Sequence, residues 1–157
     1  FAKDKINESD FIFLLSILLI DGTDNTDYFI YKFNISKKDQ KRLKIIDNFY
    51  KDKISAKSFT EKNLNKIFYY MGKQSLIDIL SFRIFTSKKI DKKVLKLIEQ
   101  FQSKDPPSMP IGAQFLMDKY QMTEGKNLGI KLKNIEEEWV NNNFKLSEKQ
   151  IDKIVNR

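Results

Sequence analysis

Lysines in rows and a glycine-bordered turn are the residues of this 157-residue chain whose types and spacing can do chemistry. Lys37, Lys41 and Lys44 recur at spacings of four and three, with Lys38 and Arg42 beside them, so a helix would carry them along one side. Lys89, Lys92, Lys93 and Lys96 repeat that arrangement further on. A phosphate backbone is well met by such a row, although a charged helix face is also what a merely solvated surface looks like. The third candidate is the stretch from Gly125 to Gly129. A glycine turn that opens a helix leaves backbone N–H groups and the positive end of the helix dipole open to an anion, and Lys126 and Lys131 lie close by in sequence. The competing explanation is conformational: Gly125 supplies a positive φ, and Gly129 allows two helices to approach closely.

Other chemistry is excluded or weak. The chain has no Cys and no His, which removes disulfides, thiol nucleophiles, zinc sites built on those ligands and any triad with an imidazole base. Glu136, Glu137 and Glu138 are consecutive, so on a helix they fan around the axis and cannot converge on a pair of metal ions. The run from Asp21 to Asp27 is rich in Asp and Asn, but caps and turns explain these residues more cheaply than a cation does. No catalytic residue and no metal ligand is assigned.

The elements that must position these groups are all helical. Phe11 to Ile20 is apolar all round and reads as a helix buried on every side; at ten residues it is half of what a membrane span needs. Asn7 and Asp10 suit its N-terminus. A short aromatic helix from Thr26 to about Asn34 follows. Ser36 with Asp39 then resembles a capping box for a helix to about Lys51 that turns Leu43, Ile46 and Tyr50 inward. Beyond a polar linker, Lys53 to Ser58, come helices from about Thr60 to Met71 and from Ser75 to Thr86, with Gly72 between them. From Lys88 to about Gln102, Ile90, Val94, Leu97, Ile98 and Phe101 form the inner stripe opposite the lysines. All three prolines, Pro106, Pro107 and Pro110, then stop the chain. A short helix with Ile111, Phe115 and Leu116 on its apolar face leads to the glycine turn. Leu128, Leu132, Ile135 and Trp139 mark a long helix, and Ser147 with Gln150 caps a last one carrying Ile151, Ile154 and Val155. Nothing alternates as a strand does. The expectation is an all-α stack of about seven or eight helices, with a body over residues 1–104 and a tail over 105–157.

With 29 Lys and Arg against 21 Asp and Glu, the net charge of +8 and pI near 9.4 favour nucleic acid as partner over an anionic membrane surface. A chain rich in Lys, Ile and Asn together also carries the composition of AT-rich coding sequence, so placement of the lysines says more than their number. Hydrophobic residues at 41% and thirteen Phe exclude a disordered chain. The lack of Cys suits the cytoplasm. The start at Phe1, on charged residues without a signal-like cleavage site, reads as an excised fragment rather than a secreted precursor.

Several of these landmarks fall in a familiar order. Pro110, Gly112, Phe115-Leu116, Gly125, Leu128-Gly129, Leu132, Glu136 and the run from Trp139 to Phe144 resemble the C-terminal part of bacterial tRNA nucleotidyltransferases and poly(A) polymerases. Tyr69 with Gly72 is similar to a helix junction of that family, and Phe33 to Ser36 leading to Leu43 is similar to the start of one of its body helices. Gln114 stands where the family usually has an acid, and Tyr120 where it usually has glycine. The resemblance implies the body and tail of a class II nucleotidyltransferase, a region that grips tRNA or another RNA by shape and backbone. An N-terminal domain, missing from this chain, would carry the catalytic Asp pair and use Mg²⁺ with ATP, and CTP for CCA addition. This chain alone would hold no cofactor and be inactive. The alternative from composition alone is a free-standing helical interaction module with a solvated basic surface.

Overall fold

The computed structural model describes residues 10–52, 59–87 and 91–156. Asn7, the linker from Lys53 to Ser58, and Lys88 to Ile90 lie outside the described residues. Within them the chain is all-α, with no strand and nine helices, close to the seven or eight expected, each on a segment where the sequence places one. The helices are α1 (Phe11–Leu19), α2 (Asn25–Lys32), α3 (Lys37–Lys51), α4 (Glu61–Met71), α5 (Lys73–Thr86), α6 (Lys92–Gln102), α7 (Ala113–Tyr120), α8 (Lys126–Asn141) and α9 (Glu148–Val155).

Local side chains set most of the boundaries. Asp10 caps α1, accepting from the N–H groups of Ile12 at 2.9 Å and Phe13 at 3.3 Å. Ser36 caps α3 through the Asp39 N–H, Thr60 caps α4 through the Asn63 N–H, and Ser147 with Gln150 closes a reciprocal capping box on α9. Gly72, at φ +86°, ends α4 and begins α5 in one residue, a left-handed conformation that a side chain resists.

The helix buried on every side is α5, which packs against α1, α3, α4 and α6. Leu76, Ile79, Leu80, Phe82 and Ile84 are all nearly inaccessible. The expectation for Phe11 to Ile20 is thereby corrected. Helix α1 packs through Ile12, Phe13 and Ser16, while Phe11 and Leu18 remain 72% and 81% exposed. Uniform apolarity marks a helix as able to be buried, but only its neighbours decide how much of it is. On α3, Leu43 and Ile46 turn inward as expected, at 0% and 1% exposure.

The last three helices close on a core of their own, made by Leu116, Leu128, Ile135 and Ile151. Phe115 is corrected from that core to the surface, where it lies edge-on to Tyr120 and beneath the Lys119 ammonium. Helix α8 also packs on α4. There the Tyr69 hydroxyl donates to Glu136 at 2.6 Å, Asn65 donates to Asn143 at 3.1 Å, and the rings of Tyr69, Trp139 and Phe144 stack edge to face. Asn143 and Phe144 both take positive φ, at 53° and 61°, and this reversal brings Phe144 back over Trp139.

Candidate nucleic-acid interface

Helix α3 holds Lys37, Lys38, Lys41 and Lys44 in the solvent because Leu43, Ile46 and Asp47 occupy its inner face. Lys37, Lys38 and Lys41 make no ion pair among the described residues. Lys44 does: its Nζ stands 3.2 Å from Asp27 of α2, with both groups more than half exposed. Helix α6 repeats the arrangement. Val94 and Phe101 point inward, and Lys92, Lys93 and Lys96 are exposed and unpaired by acids among the described residues. Its start is set by Asp91, which accepts the Lys93 N–H at 2.8 Å. Lys89 lies outside the described residues.

Arg42 is the clear correction. The spacing of the α3 lysines assigns it to the phosphate-facing surface, yet its side chain is only 12% exposed. Its guanidinium forks onto Asp78 in the middle of α5, through Nε to Oδ2 and through Nη2 to Oδ1 at 2.9 Å, and its third arm reaches Asp10 at 2.7 Å. Gln74 gives Asp78 a further hydrogen bond at 2.9 Å. The hydrogen bond to Asp78, outweighing burial and joined by the one to Asp10, raises the Arg42 pKa above its already high ordinary value. Burial alone would raise the Asp10 carboxyl, but the hydrogen bond and charge of Arg42 hold it below the usual carboxylate range. Arg42 therefore ties α1, α3 and α5 together, and its charge is spent inside the body.

At the glycine turn, Gly125 sits at φ +149° and ψ −173°, a region open essentially to glycine alone, and no side chain caps α8. The exposed Lys126 follows directly, so an ammonium stands at the start of a helix that no side chain caps. Lys131 is corrected from this cluster: its Nζ donates to the Ile154 carbonyl at 3.0 Å and caps the C-terminal end of α9. Gly129 is corrected as well. A Cβ built there meets nothing within 4 Å, so no close helix approach requires glycine at that position.

The acids of the described residues point in different directions. Glu136 turns to Tyr69 on α4, while Glu138 turns to Gln150 on α9, where it accepts at 3.1 Å. Asp21 is taken up by its own loop, accepting from Thr23 and Asn25, and these bonds lower its pKa. Among the described residues no group of three or more potential metal ligands comes together. Among the described residues Glu136, Glu138 and Asp21 are each engaged within the protein and do not converge, which does not fit the donor set of a two-metal centre. No helix among the described residues is long and apolar enough to cross a membrane.

Fold and surface together define an all-α protein that displays, on α3, on α6 and at the start of α8, lysines with no acid partner among the described residues. No protein-family model, no curated protein and no solved structure matches the chain.

Proposed function

We propose that this chain is the RNA-gripping body and tail of a CCA-adding tRNA nucleotidyltransferase or poly(A) polymerase, working in the cytoplasm with an N-terminal catalytic domain of the same protein. The order of motifs from Tyr69 to Phe144 supports the family. The observation that carries RNA binding is the set of exposed lysines without acid partners among the described residues, Lys37, Lys38 and Lys41 on α3 and Lys92, Lys93 and Lys96 on α6. Residues of that kind release counterions from a phosphate backbone without breaking any contact within the protein. Lys126, beside the open N–H groups of α8, is suited to a single phosphate. Mg²⁺, ATP and CTP belong to the catalytic domain in this reading.

The test is a salt titration of tRNA binding by the 157-residue chain. Each phosphate contact adds about 0.9 to the slope of log affinity against log salt, so Lys92→Glu, Lys93→Glu and Lys96→Glu combined should flatten it by up to about 3. Lys126→Ala should weaken binding and leave the melting temperature nearly unchanged, because its side chain is exposed. If tRNA binding is undetectable at low salt, or the slope ignores the charge reversal, the interaction-module reading replaces this one.

A further inference from the structure

Helix α2 displays its largest side chains to solvent. Its only fully buried residue is Thr26, whereas Tyr28, Tyr31 and the following Phe33 are 60%, 88% and 51% exposed. At 3.6 residues per turn, Tyr31, Tyr28 and Lys32 fall within a sector of about 100°, a single face. Two of the rings have a neighbour on the same helix. The half-buried Phe29 lies against Phe33 at 4.6 Å and 33°, and the Lys32 ammonium lies 6.0 Å from the centre of the Tyr28 ring.

This face borders the α3 lysines. The ion pair of Lys44 with Asp27 ties the row that Lys37, Lys41 and Lys44 make on α3 to α2, one turn before Tyr31. The connection between the helices is short, so α3 runs back along α2. One turn back from Lys44 is Lys41, and one turn on from Asp27 is Tyr31, so in helices that run antiparallel the lysine with no ion pair among the described residues and the most exposed ring lie on the same side of that contact. Asp27 itself is neutralised by Lys44, so no free carboxylate stands between them.

We propose that the α2–α3 hairpin is a stacking platform for unpaired nucleotides of RNA: Tyr28, Tyr31 and Phe33 take base faces, and Lys32, Lys37, Lys38 and Lys41 take the phosphates between them. The proposal rests on the RNA-binding reading and adds a site and a substrate class to it. Aromatic faces beside a lysine row suit single strands, because bases in a duplex are already stacked on each other and offer only edges and phosphates. The charge selects the occupant. An apolar protein surface would cover the rings but leave this lysine row without a counter-charge, whereas a single strand satisfies both.

The test uses the whole chain, a labelled oligoadenylate and tRNA, followed by anisotropy across salt concentrations. Tyr31→Ala and Tyr28→Ala should each weaken oligoadenylate binding by about 5- to 150-fold, the range of one lost stack. Neither should change the salt slope, since no phosphate contact is removed. Tyr31→Trp should restore binding, because it retains a π face without the hydroxyl. Lys37→Ala with Lys41→Ala should lower the slope by about 1.4 on the single strand. Alanine variants that bind oligoadenylate like the wild type, while tRNA binding persists, would overturn the platform alone. Absence of binding to both RNAs at low salt would remove the RNA reading and the platform with it. A concentration-dependent dimer abolished by Tyr31→Ala would show that this face joins two copies, and would also overturn the proposal.

Discussion

Replacing Arg42 with alanine should damage folding far more than any lysine substitution on the same helix. The cause is Asp78, 2% exposed in the middle of α5, whose carboxylate keeps only the Gln74 amide when the guanidinium goes. Removing one partner of a buried ion pair costs about 3 to 5 kcal/mol, because the remaining charge stays desolvated. The Asp10 arm adds little, since that carboxylate is 53% exposed and its pairing is screened by water. With an m value of about 2 kcal/mol/M, the urea midpoint should fall by about 1.5 to 2.5 M. Replacing both partners together, Arg42→Met with Asp78→Leu, should recover most of that loss, since a packed apolar pair needs no counter-charge. The assay is a double-mutant cycle read by urea denaturation with helical circular dichroism. A loss below about 1 kcal/mol for Arg42→Ala, in the range of ordinary exposed pairs, or strictly additive single effects, would show that Arg42 and Asp78 do not act as a buried pair.

The two glycines of the α8 turn should respond in opposite directions. Gly129→Ala, in open space on the helix, should stabilise by about 0.8 to 1 kcal/mol, and Gly125→Ala, held at φ +149°, should destabilise by about 1 to 3 kcal/mol, both measured by thermal melts. Tyr69 is pushed up to about 12, first by its hydrogen bond to Glu136 and then by burial. A raised pKa means that its contribution to stability is complete below pH 10.0 and is lost as pH rises towards about 12; tyrosinate absorbance of Tyr69→Phe against wild type, alongside unfolding at each pH, checks this.

Helix existence and most helix starts were legible because both are local properties. Ser36, Thr60, Ser147 with Gln150 and Gly72 act within four residues of themselves, and all four stand where the sequence places them. The errors concern what lies across the fold. Arg42 and Asp78 are 36 residues apart, and nothing in helical spacing separates an arginine that forks inward from lysines that do not. Lys131 finds its acceptor 23 residues away, on a different helix. Composition likewise presents α1, which has no charged residue, as more apolar than α5, yet the helices packed around each one leave Leu18 in water and Leu80 out of it. The outward rings of α2 have a partial signal, two tyrosines three apart in a helix that also carries Phe29 and Ile30. Their exposure depends on which side α3 covers, which spacing does not specify.

The seam between α4 and α8 also has a consequence for synthesis. Its hydrogen bonds join residues 67 and 78 positions apart, whereas the helices on either side mostly pack against near neighbours in the chain. Local pairings close first, since long loops cost more entropy and form more slowly. On a ribosome every helix that packs on α5 has been made once Gln102 has emerged, but the surface of α4 that carries Tyr69 stays uncovered until Trp139 and Phe144 arrive. At about 5 to 20 residues per second, the roughly forty residues between Gln102 and Phe144 take about 2 to 8 s. For that interval each nascent chain offers an aromatic strip to whatever is nearby, so chaperone dependence and premature-stop toxicity should concentrate in the codons between those two residues.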